Sequence, residues 1–164
     1  AQEVRTPMRR TLRAVTFTAL AASCGLPSMP AVAQTPASKT RADVTLLAYG
    51  PMVKTCLQAA EAAAEEGHNL EVIDLRSLSP LDEDTILASA RKTGRVVVVH
   101  EASTFLGMGS EISALVTERA FHHLEAPVLR VGGYNVPYPP SRIEEEFLPD
   151  LDRVLDAVDR SLAY

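Results

Sequence analysis

The sequence predicts an open three-layer α/β domain over residues 43–164, a mostly parallel sheet with helices on both faces. Three observations predict it. Short β-rich runs alternate strictly with longer segments of helical periodicity. Val96-Val97-Val98-Val99 is an unbroken run of β-branched residues, and a strand that is apolar on both faces belongs in the middle of a parallel sheet. Glycine or proline closes the runs, as at Gly50-Pro51, Gly67, Gly94 and Gly132-Gly133.

Each element follows from its own residues. Val44 to Tyr49 reads as a buried strand. Met52 to Glu66 reads as a helix with Val53, Cys56, Leu57, Ala60 and Ala64 at helical spacing. Leu70 to Leu75 is a second strand. A second helix is expected to start at Ser79-Pro80-Leu81-Asp82, with a capping hydroxyl, a proline in the first turn and a carboxylate near the positive end of the helix dipole. It runs to about Lys92. Val96 to Val99 is the third strand. Gly107-Met108-Gly109-Ser110 leads into a third helix with Ile112, Leu115, Val116, Ala120 and Phe121 along one side. Pro127 to Val131 is the fourth strand. A proline-rich crossing, Pro137-Tyr138-Pro139-Pro140, leads through Ile143–Phe147 to a last helix from about Asp150 to Leu162, with Leu151, Val154, Leu155, Val158 and Leu162 at spacings of three and four.

The bulk properties narrow the function. A chain of 164 residues holds one domain of ordinary size and a tail. A net charge of -5 and the lack of a basic stripe after Arg13 argue against nucleic acid as a partner. Cys24 and Cys56 make no disulfide or zinc framework, and Cys56 falls on an apolar helix face as a core residue.

Residues 1–42 differ in kind. A basic run from Met8 to Arg13 precedes an uncharged apolar stretch from Ala14 to Gly25, and Ala31-Val32-Ala33 then gives a small-x-small pattern. That order is the anatomy of a secretory leader, and the stretch is too short for a membrane anchor. The competing expectation is a disordered tail or a segment joined by a truncated or misread gene. Thr35 to Thr40 is a linker.

Ligands in such sheets sit beyond the carboxyl ends of the strands, here Gly50-Pro51, Arg76-Ser77, His100-Glu101 and Gly132-Gly133. His100 and Glu101 are the most suggestive pair, since histidine titrates near neutrality and a glutamate can share its proton. Neighbours on a strand point to opposite sides, so one is expected to meet a neighbouring subunit and the other a loop. Gly107-x-Gly109 ahead of a helix could admit an anion, but Ile112 stands where a dinucleotide fingerprint has its third glycine. His122-His123 lacks further ligands and reads as a surface or helix-end pair. No residues of the chain assemble a catalytic centre.

Val72 to Asp82, followed by Lys92 to Ala102, resembles the central signature of the transketolase C-terminal domain in the version of 2-oxo acid dehydrogenase beta subunits. Gly107 to Ile112 resembles that family's turn into its third helix. Pro137-Tyr138-Pro139-Pro140, Leu148-Pro149-Asp150 and Arg153-Val154-Leu155 look like the branched-chain type more than the pyruvate type. The resemblance covers roughly Asp43 to Tyr164. It departs at Asn135, where the family commonly has aspartate, and at Ser103-Thr104-Phe105-Leu106, which lacks the usual arginine.

The resemblance implies a cytoplasmic heterotetramer of two alpha and two beta subunits, with thiamine diphosphate held between the alpha subunit and the beta subunit's N-terminal domain. The leader-like segment leaves export open. These 164 residues are expected to bind no cofactor and to be inactive alone, with no membrane or nucleic-acid partner. Their expected work is contact with the alpha subunit and a second beta subunit, with His100, Glu101, Gly107, Gly109 and Glu111 as candidate interface residues. A second task is docking to the subunit-binding domain of the dihydrolipoyl acyltransferase. From Ser141 onward seven acids stand against three arginines, and Glu144, Glu145, Asp150, Asp152 and Tyr164 are the docking candidates, through charge complementarity. A domain built for such an assembly should expose an apolar patch or self-associate. The alternative is a secreted, freestanding α/β binding module.

Overall fold

A computed structural model describes residues 41–164. The expected leader, linker and Cys24 lie outside the described residues. Four strands, β1 (Val44–Ala48), β2 (Leu70–Asp74), β3 (Val96–Ser103) and β4 (Leu129–Gly133), form one parallel sheet in the order β2-β1-β3-β4. The helices are α1 (Met52–Glu65), α2 (Glu83–Thr93), α3 (Met108–Ala120), the single turn α4 (Glu144–Phe147) and α5 (Leu151–Leu162).

The sheet is covered on both faces, and the valine run of β3 shows why it must be. Val97 and Val99 pack with Leu46, Cys56, Ala59, Val154 and Val158 beneath α1 and α5, while Val96 and Val98 pack with Leu47, Ile86, Ile112 and Val116 beneath α2 and α3. All four valines are fully buried. The side-chain period of two sends alternate residues into the two cores, so only a continuous apolar run satisfies both.

The direction of travel fixes which helix covers which face. From β1 the chain moves outward to β2 through α1, then returns past β1 to β3 through α2 and on to β4 through α3. Right-handed crossovers place helices of opposite travel on opposite faces. The order therefore reverses between β1 and β3, which makes the crevice beyond their carboxyl ends the topological switch point.

Three local expectations change. The second helix starts at Glu83, four residues past Ser79. The Ser79–Pro80 bond is cis, Ser77 Oγ donates to the Pro80 carbonyl at 2.8 Å, and Asp82 is the cap, accepting from Thr85 N–H at 3.1 Å and Thr85 Oγ1 at 2.8 Å. Asp82 wins because one carboxylate satisfies two donors of the first turn. Phe121 leaves the helical face of α3 in a 3-10 turn and is exposed, and Ala64 is exposed near the end of α1. The third change is that β3 runs on through His100 to Ser103, with a register irregularity against β4 between Val99 and Ser103. His100 and Glu101 thus lie inside the strand.

Candidate functional site

His100 occupies the switch point and is fully buried. Its ring stacks on Tyr49, the residue after β1, with centroids 5.9 Å apart and planes 18° from parallel. Nδ1 lies 2.9 Å from the Ala102 carbonyl, so Nδ1 carries the proton and Nε2 is the bare nitrogen. Nε2 has no hydrogen-bond partner among the described residues. Burial lowers the pKa of the imidazole, and the Arg130 charge pushes it the same way against the opposing Ala102 bond.

Three glycines make the space for this ring. A methyl group at Gly107 would meet His100 Cε1 at 2.9 Å, one at Gly132 would meet the same atom at 3.0 Å, and one at Gly109 would run into Nε2. The Gly107-x-Gly109 pair of the sequence, open to reading as an anion cradle, is instead a socket for imidazole. His100, expected as a subunit contact, is enclosed by its own chain. Gly109 is buried too, so their part at any boundary is indirect. Glu101 is half-buried on the opposite side, and Glu111 is exposed in the first turn of α3. Among the described residues no group of three or more His, Cys, Asp or Glu side chains is placed to hold a metal ion.

The rim around the socket is apolar and exposed. Phe105 and Leu106, at the tip of the β3–α3 loop, expose 69% and 86% of their surface. Tyr134, Val136, Tyr138 and Ile143 on the connection after β4 are exposed as well. The two loops are stitched together by Asn135. Its Oδ1 accepts from Ser103 Oγ at 2.5 Å, Thr104 Oγ1 at 3.2 Å and Phe105 N–H at 3.0 Å. Aspartate at this position would present the same acceptor, so the departure from the family pattern leaves the local contacts made. Arg130 on β4 reaches the same loop, donating to the Thr104 carbonyl at 3.0 Å and to Ser110 Oγ.

Leu106 takes φ +57°, and it is the one non-glycine residue with positive φ among the described residues. A branched side chain in that region is strained by roughly 1–2 kcal/mol, held here by the bonds on either side of it. Phe147 closes the rim from below. Tyr138 and Tyr134 meet its ring edge-on at 5.0 and 6.3 Å, and Arg153 lies over Tyr134 at 4.7 Å. Tyr138 donates to Glu144, which pushes the phenol up to about 12. These apolar rim residues escaped the sequence reading. The available signal was Phe-Leu inside a polar loop.

The docking candidates do not come together. Asp150 caps α5, accepting from Arg153 N–H at 2.9 Å, and Glu144 is taken by Tyr138. Glu145 and Asp152 are exposed. The start of α5 is fixed to the carboxyl end of the sheet by Arg153, which donates to the Gly132 carbonyl. Its last turn lies at the amino end, where Arg95 Nε donates to the Ser161 carbonyl at 3.0 Å. A helix of 12 residues spans roughly 18 Å, so Tyr164 stands that far from Asp150 and Asp152. A groove of about 580 Å³ runs along the open edge of β4, lined among others by Thr104, Arg130, Asp150, Asp152, Arg153 and Arg160.

A family model described as transketolase, C-terminal domain, matches residues 33–154. The pyruvate dehydrogenase E1 component subunit beta of Leifsonia xyli subsp. xyli is 56% identical over 122 residues, which are 74% of this chain and 36% of that protein. The 3-methyl-2-oxobutanoate dehydrogenase subunit beta of Mycobacterium tuberculosis is 49% identical over 135 residues, 81% of this chain and 38% of the relative. The 2-oxoisovalerate dehydrogenase subunit beta of Pseudomonas aeruginosa is 50% identical over 120 residues, 73% of this chain and 33% of the relative. The chain therefore spans a little over a third of these relatives, or a third in the last case. Among solved structures, a chain described as split gene transketolase, inactive beta4 tetramer, superposes with TM-score 0.66 at 30% identity, covering 82% of this chain and 41% of that one. No helix among the described residues is long and apolar enough to cross a membrane.

Proposed function

Because the chain belongs to the transketolase C-terminal domain family, we propose that it is the C-terminal domain of the beta subunit of a thiamine diphosphate-dependent 2-oxo acid dehydrogenase. Its part there is assembly. The carbanion chemistry belongs to the cofactor and to polypeptide outside this domain. Relatives named for pyruvate and for branched-chain 2-oxo acids match at comparable identity, so the proposal is stated for 2-oxo acids as a class. No feature of the comparisons favours a freestanding binding module.

The observation that carries the proposal is the apolar rim. Phe105, Leu106, Tyr134, Val136, Tyr138 and Ile143 are all exposed, and Asn135 ties the loop that carries the first two to the connection that carries the others. Single exposed apolar residues are ordinary on a soluble domain, whereas several on two loops tied by hydrogen bonds support an interaction surface. Its occupants are the alpha subunit and the second beta subunit. Light-scattering sizing of the 164-residue chain tests this. Self-association at neutral pH that is lost in Leu106→Glu is expected, and a strict monomer that also fails to bind a purified alpha subunit would sink the reading.

Docking of the dihydrolipoyl acyltransferase is kept as part of the proposal, now with two separate candidate regions. One holds the free acids Glu145 and Asp152, and the other holds Tyr164. Titration with a recombinant basic subunit-binding domain separates them. Charge reversal of Glu145 and Asp152 and deletion of Ser161–Tyr164 are the two variants, and an affinity unchanged in both and insensitive to salt would end the docking idea.

A further inference from the structure

We propose that His100 is the keystone of the assembly face and makes it acid-sensitive: the rim keeps its shape while the imidazole is neutral, and protonation releases the 103–107 loop from β4 and α3. The proposal rests on the assembly reading above and names the regulation of that same face.

The geometry of the socket requires a neutral ring. An imidazolium must give both of its N–H groups to acceptors. Nδ1 has the Ala102 carbonyl at 2.9 Å. Nε2 has no partner among the described residues and faces Gly109 so closely that not even a methyl group fits between them. An unpaired N–H bearing charge at a fully buried site costs several times what a lost neutral hydrogen bond does. The ring is relieved by leaving the socket.

The charged and titratable groups around the ring do not favour a second proton on it. Tyr49, between β1 and α1, stacks on it as a neutral phenol whose pKa burial raises further. From β4 comes Arg130, a cation that opposes a second positive charge. From α3 comes the amino end of a 13-residue helix, whose dipole also disfavours imidazolium, with Glu111 turned out to solvent. On its own strand stands Glu101, whose charge reaches Tyr49 and Tyr138. None of these offers an acceptor to Nε2.

The ring is also the point where the rim's supports meet. Gly107 begins α3 directly after Leu106, Gly109 belongs to its first turn, and Gly132 lies in β4 next to the strand end that continues into Tyr134 and Asn135. Expulsion of the ring therefore loosens the loop tip and its anchor on β4 together. The sign is fixed by the lowered pKa: the contribution is complete above the ordinary value of 6.5 and is lost as pH falls from there toward the lower value of the enclosed ring.

The test is amide hydrogen exchange of residues 103–107, corrected for intrinsic pH dependence, between about pH 8 and pH 5, with His100 ring signals and particle mass followed in parallel. The chain has four histidines, so a control carrying His68→Asn, His122→Asn and His123→Asn leaves His100 alone. Expected is loss of loop protection by up to about tenfold per pH unit below 6.5, in the wild type and the control alike, while residues 70–74 of β2 stay protected. A pH-independent loop, a His100 that titrates at 6.5 with the loop closed, or a response that disappears in the control overturns the proposal. Self-association with a pH-independent loop overturns the switch and leaves the assembly reading standing. A monomer that also fails to bind a purified alpha subunit, but whose loop still opens as His100 titrates, supports the switch and overturns the assembly reading.

Discussion

Gly109 lies against His100 Nε2 with no room for a methyl group between them. This contact joins the first turn of α3 to the middle of β3 and is set by the absence of a side chain. Gly109→Ala forces either ring or helix to move. Overpacking of this kind costs about 1–3 kcal/mol, and thermal melting should fall by several degrees. In a His100→Ala background the ring is gone, so the same substitution should cost little. A double-mutant cycle that shows no coupling between the two positions would remove the socket from the account.

Asn135 supports the loop tip through one oxygen. Asn135→Ala leaves three donors of residues 103–105 to water. Because the site is exposed, the loss is the net value of a hydrogen bond, about 1 kcal/mol, felt as roughly fivefold faster exchange in the loop with little change in melting temperature. Asn135→Asp keeps the acceptor and should behave as wild type. Equal exchange in Asn135→Ala and wild type would mean that the loop is held by other bonds.

The fold was legible in the sequence because its signals are local. The valine run, the glycines that end helices and the apolar spacing of the last helix each stand within a few residues of one another. Gly94 is an example, ending α2 at φ +71° with its N–H on the Ala90 carbonyl at 2.9 Å. The second helix was misplaced because Ser79 and Asp82 are both good caps, and the choice lies in which side chain reaches two donors. The site was legible only in part. His100 and the two glycines at 107 and 109 drew notice, yet as a contact and an anion loop, because Gly132 joins them only once β4 lies beside β3. The loop that carries Phe105 and Leu106 is held by hydrogen bonds donated to Asn135, thirty residues from Phe105 in sequence. The docking acids looked contiguous with Tyr164, and a straight helix separates them.

Cys56 is fully buried on the inner face of α1, and burial pushes its thiol up to about 12. Its thiolate is the reactive form, so native protein at pH 8 should modify it only as fast as the domain opens. Alkylation by iodoacetamide in mild denaturant should track unfolding. Rapid labelling of the folded chain at Cys56 would contradict its place in the core.

Leu106 sets stability against assembly. Its φ of +57° is unfavourable for a branched residue, and its side chain makes no use of the core, being 86% exposed. Asn adopts that backbone region more readily, so Leu106→Asn should stabilise the isolated domain by up to about 1 kcal/mol. The same substitution removes the most exposed apolar side chain of the rim and should weaken association. Opposite movements of melting temperature, measured at a dilution where the chain is monomeric, and of association constant are therefore expected from one change. A substitution that lowers both would show that Leu106 is held by packing within its own chain, and one that leaves association untouched would place the subunit contact elsewhere on the domain.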